Sequence, residues 1–334
     1  MTARLLGPVV VAALMLTGCS PIQPTPPSDL AGDVRVHDPA LVAGAGDEPW
    51  FVYSTGDPLL DGGELQVRRS DDGGVTWRRV GSVWPTGGRP AWIAEEVPGV
   101  TNLWAPELHE HDGTWYLYYA ASTFGSNHSA IGLATATTLD PDDPAYGWTD
   151  RGPVLVSEKT DDVNAIDPAV IDDAEGRPWL AFGSFWSGIR MLPLSWPGGL
   201  LAEGASLDDA VLLAGGRGGP NAIEAPSITR HGDAFWLFAS IGACCRGVDS
   251  TYQVIVGRAD EVTGPYLDAD GVPLASGGGT VVLTTEGDRI GPGGESVSGE
   301  LLGFHFYDGA NAGLPALAIE PLRWGTDGWP SVGE

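Results

Sequence analysis

Cations are scarce in this chain. Lys159 is its single lysine, and 17 Lys+Arg stand against 44 Asp+Glu, for a formal net charge of -27. Such a surface repels phosphate backbones and anionic lipid, which argues against nucleic acid as a partner and leaves room for a neutral ligand such as a carbohydrate. Cysteine is nearly absent too. Cys19 stands alone near the N-terminus, and Cys244 and Cys245 are adjacent. Three cysteines so placed make neither a zinc site nor a multi-disulfide framework. The adjacent pair is either two buried thiols or a vicinal disulfide. Past the N-terminus no segment keeps a helical apolar period, and no nucleotide-binding motif is present.

What the chain has instead is 49 Gly, 27 Pro and 13 Trp. That composition suits many short strands and tight turns. Strand-like runs fall at 50–53, 65–69, 114–120, 130–134, 178–183, 189–193, 234–240, 252–258, 301–307 and 316–322, separated by turn pairs such as Gly73-Gly74, Asp112-Gly113 and Gly232-Asp233. Ser70-Asp71-Asp72-Gly73-Gly74-Val75-Thr76-Trp77 fits the S-x-D-x-G-x-T-W hairpin turn called an Asp box, with Asp72 expected to bond backbone amides.

The N-terminus reads as a targeting segment. Arg4 precedes an apolar stretch at 5–16 that is too short to span a bilayer, and Leu16-Thr17-Gly18-Cys19 fits a bacterial lipoprotein cleavage box. The expectation is a signal peptide at 1–18, a lipid-anchored Pro-rich tether at 19–33 starting from an acylated Cys19, and one domain at 34–334. This places the protein outside the cytoplasm, held to the bacterial membrane.

Three acids stand out: Asp38 in V-H-D-P-A-L, Asp167 in N-A-I-D-P-A-V and Glu224 in N-A-I-E-A-P-S-I. Each lies in an apolar run next to a proline. A carboxylate there must be hydrogen-bonded, paired or functional, because burying it alone is costly. Each acid motif is followed by a short turn and an aromatic strand: Trp50-Phe-Val-Tyr, Trp179-Leu-Ala-Phe and Phe235-Trp-Leu-Phe. A fourth copy, Trp104-Ala-Pro-Glu-Leu before Trp115-Tyr-Leu-Tyr, lacks a matching acid. A period of about 60 residues built from short antiparallel strands predicts an all-β, five-bladed β-propeller. Acids on three innermost strands would then converge at one mouth of the axis. Convergent carboxylates without a metal or nucleotide motif suit glycoside hydrolysis, which needs an acid for the leaving oxygen and a base or nucleophile opposite.

The ordered segments His37-Asp38-Pro39, Leu103-Trp104-Ala105-Pro106-Glu107, Phe124-Gly125-Ser126-Asn127, Ala165-Ile166-Asp167-Pro168, Gly183-Ser184-Phe185-Trp186-Ser187-Gly188, Glu224-Ala225-Pro226, Cys244-Cys245-Arg246-Gly247 and Gly328-Trp329-Pro330 carry a closer likeness. Over nearly the whole mature chain the sequence resembles glycoside hydrolase family 43, within it the arabinan endo-1,5-α-L-arabinosidases. The resemblance implies inverting, endo-acting hydrolysis of arabinan by a monomer, with Asp38 as general base, Glu224 as general acid and Asp167 tuning and orienting Glu224. It also implies substrate contacts from His37, Trp104, Asn127, Ser129, Asn164, Ser184, Phe185 and Trp186. Relatives carry Gly-Pro-Gly-His where this chain has Gly291-Pro292-Gly293-Gly294, and that His helps organise a central metal ion, often calcium. With Gly294 in its place, no metal and no other cofactor is expected to be required. His305 in F-H-F-Y-D reads as a structural strand residue. Competing readings are an exo-acting α-L-arabinofuranosidase or β-xylosidase of the same family, or a surface glycan-binding lipoprotein without turnover.

Overall fold

The computed structural model describes residues 30–333, so Cys19, the cleavage box and most of the expected tether lie outside the described residues. No helix among the described residues is long and apolar enough to cross a membrane. Strands β1 (Ala31–Gly32), β2 (Ala40–Val42), β3 (Trp50–Ser54), β4 (Gln66–Ser70) and β5 (Thr76–Ser82) form the first sheet, in the order β1-β5-β4-β3-β2. The blade therefore begins before the expected boundary at 34: β1 pairs in parallel with β5, and Asp33 holds the buried Arg68 guanidinium. A short helix α1 (Trp92–Glu96) leads to β6 (Leu103–His111), β7 (Thr114–Ala121), β8 (Ser129–Ala136) and β9 (Thr149–Ser157), the second sheet. The third holds β10 (Ala169–Asp172), β11 (Pro178–Phe182), β12 (Ile189–Ser195) and β13 (Leu200–Leu201), with β14 (Val211–Ala214) also on β12. The fourth is β15 (Ile223–His231), β16 (Ala234–Ile241), β17 (Gln253–Ala259) and β18 (Thr280–Leu283). The fifth is β19 (Arg289–Ser298), β20 (Leu301–Asp308), β21 (Leu314–Trp324) and β22 (Pro330–Val332).

Strand sequences explain how these sheets stack. A second strand of a blade is apolar throughout, not alternating, because both of its faces are covered. In β3, Trp50 and Val52 face the fifth blade's Leu301, Leu317 and Ile319, while Phe51 and Tyr53 face the second blade's Leu117 and Tyr119. The same division recurs in β7 and β16, so every pair of neighbouring blades encloses its own apolar core. Burying a Val, Leu or Phe side chain contributes about 1.5–3 kcal/mol. The core between the first and last blades closes the ring, reinforced by the bonds Leu41 N to Ser296 Oγ (3.1 Å), Ala43 N to Ser298 Oγ (3.0 Å) and Leu317 N to Val34 O (2.8 Å). The result is a five-bladed β-propeller.

The Asp box forms the β4–β5 hairpin turn. Asp72 Oδ1 accepts from Thr76 N (2.8 Å) and Ser70 Oγ (2.7 Å), and Trp77 Nε1 donates to Gly74 O (2.7 Å).

Candidate active site

One backbone device recurs at the head of every innermost strand. Asp38, Ala105, Asp167, Ala225 and Gly294 all lie in the left-handed region, with φ of 49°, 42°, 55°, 52° and 58°. Proline follows the first four, and Glu295 follows the last. The pairing register shifts at this point in β6, β15 and β19, the signature of a β-bulge. The bulges turn the chain toward the axis, and each delivers its side chains to the same mouth. The like frames N-A-I-D and N-A-I-E are thereby one residue out of structural step: Asp167 occupies the left-handed position, whereas Glu224 precedes it.

Asp38 is gripped from several sides. Its Oδ2 accepts from Thr55 Oγ1 (2.6 Å) and His37 Nδ1 (2.7 Å), and its own N–H donates to His305 Nδ1 (3.1 Å). Burial opposes its ionisation, but His37 and Thr55, which bond the carboxylate directly, outweigh burial and hold the carboxyl well below the usual carboxylate range. Glu224, 8 % exposed, behaves oppositely. Burial, reinforced by the Asp38 charge, pushes its carboxyl up to about 7. Its Oε2 meets Ser184 Oγ at 2.5 Å, and its Oε1 takes the Tyr252 hydroxyl. Asp167 Oδ2 accepts from Ala225 N at 3.0 Å, tying it to the peptide beside Glu224. Burial and the like charges of Glu224 and Asp38 raise Asp167 well above its ordinary value. Asp167 and Glu224 therefore titrate as a coupled pair that retains a proton easily.

Of the other residues singled out in the sequence, His37 and Ser184 contact the acids directly. Phe185 and Trp186 lie on the loop that carries Ser184, Trp186 is 40 % exposed, and Phe185 N bonds Ile223 O at 2.9 Å beside Glu224. Trp104 is half-buried on the bulge of β6. Asn127, Ser129 and Asn164 are buried and hydrogen-bonded within the fold. Asn127 Nδ2 donates to the carbonyls of Glu158, Asp161 and Val163, and Ser129, fully buried, donates to Asn164 Oδ1 (2.7 Å). Asn127 thereby holds the 158–163 loop, and Ser129 links Ser122 to Asn164 beside it. Thr55, Tyr252, His305 and Tyr307 are the site residues that sequence reasoning missed. Each meets its partner only across the closed ring or between strands, so no local motif marks them. Loops between second and third strands open on this same side and carry exposed Leu59, Phe124 and Trp186, an apolar rim suited to sugar faces.

His37, Asp38 and His305 lie close enough to be considered as metal ligands. Several of their donor atoms are already engaged with one another, whereas His305 Nε2 is buried without a hydrogen-bond partner among the described residues. His305 Nδ1 already accepts the Asp38 amide, which puts the ring proton of the neutral imidazole on Nε2, and burial keeps that ring neutral. His37 Nδ1 and Asp38 Oδ2 bind each other. Position 294 has no room for a histidine: a Cβ there would lie 2.5 Å from Asp38 Oδ1 and 2.8 Å from His305 Nδ1.

Comparison with known proteins agrees with this geometry. Over 316 residues the chain is 40 % identical to an extracellular exo-α-(1→5)-L-arabinofuranosidase of Cellvibrio japonicus, covering 91 % of this chain and 88 % of that protein. It is 38 % identical over 307 residues to an extracellular endo-α-(1→5)-L-arabinanase of Bacillus subtilis, covering 90 % and 88 %. A solved endo-arabinanase from Bacillus licheniformis superposes with a TM-score of 0.83 at 37 % identity, covering 91 % of this chain and 99 % of that one. The family model for glycosyl hydrolases family 43 matches residues 32–330, essentially the whole propeller with its three acids, and the chain belongs to that family of glycoside hydrolases.

Proposed function

We propose that this protein hydrolyses α-1,5-L-arabinofuranosidic bonds in arabinan, endo-acting and with inversion. The observation that carries the reading is a division of charge among acids from three blades: Asp38 is held ionised while Glu224 is held protonated. Those are the states a general base and a general acid need before the reaction starts. Glu224 gives its proton to the glycosidic oxygen as the bond to the anomeric carbon breaks. Asp38 takes a proton from the water that attacks that carbon from the opposite face. One water is consumed, and both carboxyls reset by exchange with solvent. Asp167 acts through Glu224, by like charge and by its bond to the Ala225 amide. His37, Trp104, Ser184, Phe185 and Trp186 would border the sugar. The substrate assignment leans on the relatives' activities, and one of them is exo-acting, which supports an exo-arabinofuranosidase as the second reading.

No step of this scheme uses a metal: His37 Nδ1 binds Asp38 Oδ2 and His305 Nδ1 accepts the Asp38 amide, while His305 Nε2 is buried without a partner among the described residues. The relatives' extracellular placement supports secretion, and the Leu16–Cys19 box adds a lipid anchor at Cys19. The deciding experiment is incubation of purified protein with debranched arabinan, with and without EDTA, and sizing of the products. A ladder of oligosaccharides unaffected by EDTA is expected. Release of short products of one size from the outset favours the exo reading, and no release from any arabinan refutes hydrolysis.

A further inference from the structure

The vicinal pair that the chemistry leaves unused sits beside the proposed base. Cys244 and Cys245 form a disulfide in the loop between β16 and β17, on the mouth side. Cys245 is exposed and held in the left-handed region at φ 67°, which a non-glycine residue rarely adopts. In that conformation its N–H donates to the Tyr307 hydroxyl at 2.7 Å. Tyr307, 3 % exposed, stands with its hydroxyl 2.9 Å from His37 Nε2. His37 Nδ1 in turn meets Asp38 Oδ2 at 2.7 Å. The proton directions agree along the line. The Cys245 amide fills an acceptor site on Tyr307, Tyr307 O–H donates to Nε2, and the ring proton goes to Nδ1, where it faces the carboxylate.

We infer that Tyr307, set by the Cys244–Cys245 loop, is a positioning residue that fixes the His37 tautomer and through it the aim and ionisation of Asp38. The inference rests on the proposed role of Asp38 as base. It also makes the site sensitive to reduction. A dithiol breaks the S–S bond in a two-electron step, leaves two protonated thiols and itself closes to a cyclic disulfide. Without the two-residue clasp, Cys245 is free to return to negative φ, which withdraws its N–H from Tyr307 and frees that hydroxyl to turn away from His37. Groups facing His37 and Asp38 from the other strands and loops are His305, Thr55 and Cys245, whose Sγ lies 3.8 Å from His37 Nε2 and becomes a thiol on reduction, with the carboxyls of Glu224, Asp167 and Glu295 farther off. Of these only Thr55 also bonds the ionised Asp38 carboxylate, so a loosened His37 lets its carboxyl rise. The acid limb of kcat/KM, which requires ionised Asp38, then moves to higher pH.

The test uses the whole secreted chain. Tyr307→Phe keeps the buried ring and removes the hydroxyl. Its kcat on arabinan should fall roughly ten- to hundredfold, the scale set by small misplacement of a reacting group. KM should change little, and the acid limb should shift upward. Reducing the wild type with dithiothreitol, with two thiols counted per chain, should move kcat and the limb in the same direction. In Tyr307→Phe reduction should add almost nothing, since both changes act on one line of contacts. The ¹⁵N shifts of His37 read the tautomer without substrate and should report Nδ1–H in the oxidised wild type and a mixture after reduction. An unmoved acid limb in Tyr307→Phe overturns the proposal. So does an equal loss on reducing wild type and variant, or a His37 tautomer indifferent to both. If wild type hydrolyses no arabinan, the functional reading fails, while the ¹⁵N measurement still judges the relay.

Discussion

Asp38 and Glu224 are chemically near-identical acids set to opposite states by their neighbours. Two histidines and a threonine surround Asp38, whereas Glu224 is buried with hydroxyls for partners and other carboxyls nearby. Activity needs Asp38 without its proton and Glu224 with one. The plot of kcat/KM against pH should therefore fall as pH rises through about 7, where Glu224 ionises, and its acid limb, set by Asp38, should lie below the usual carboxylate range. Glu224→Gln should cost about 10²- to 10⁴-fold on arabinan, lose that basic limb, and spare aryl arabinosides whose leaving group needs no proton. Asp38→Asn should be inactive on both substrates. A Glu224→Gln enzyme with full activity on arabinan would remove the assignment. Asp167→Asn keeps an acceptor for the Ala225 amide but removes a like charge, so the basic limb should move to lower pH. An unmoved limb would restrict Asp167 to orienting the Ala225 peptide.

Elements carried most of what could be read in advance. The three acids and four of the five blade motifs were visible, because apolar runs and turn pairs mark strands covered on both faces. The fifth blade showed its runs at 301–307 and 316–322 but not its inner-strand motif, since β19 opens on Gly291, Gly293 and Gly294 where the others have apolar residues and a following proline. Its kinship lies in the φ of Gly294, which no side chain announces. For the same reason the two N-A-I frames misled by one residue, and the buried hydrogen bonds of Asn127, Ser129 and Asn164 carry no mark in the sequence. The resemblance put a metal histidine at 294, and the structure gives the reason glycine stands there: left-handed backbone pressed against Asp38 and His305. Gly294→Ala should cost about 1–3 kcal/mol in stability from the backbone alone. It should also lower kcat by displacing Asp38. Gly113→Ala, with φ 75° and nothing within 4 Å of a new Cβ, should show only the first effect. Thermal unfolding and kcat on both variants separate the two, and an active Gly294→Ala would contradict the crowding.

As a whole, the molecule is a ring closed by apolar contact between its first and last blades. The Val36, Trp50 and Val52 face meets Leu301, Leu317 and Ile319, so one sheet cannot loosen without exposing two cores. The proposed lipid anchor at Cys19 is tested by fractionation. Wild type should partition with membranes and Cys19→Ala should appear in the soluble fraction; identical fractionation of the two would refute lipidation. The surface charge of -27 makes a further prediction. A neutral polysaccharide is not steered by that field, so kcat/KM on arabinan should change little with ionic strength. A steep salt dependence would point to a charged substrate.

The five left-handed bulges have a consequence for how such a site can change. Four have a proline fixing the backbone just beyond them, so the local turn owes little to the side chain the bulge presents. Asp and Ala already exchange at this position between blades without altering it. Four bulges hold carboxyls at or next to the turn, Asp38, Asp167, Glu224 and Glu295, while the one at Ala105 holds none. Its neighbours Trp104 and Thr55 already border the cluster. The propeller thus offers the same mounting point on several blades, and a family of such chains can relocate or add a functional group there with little cost to folding.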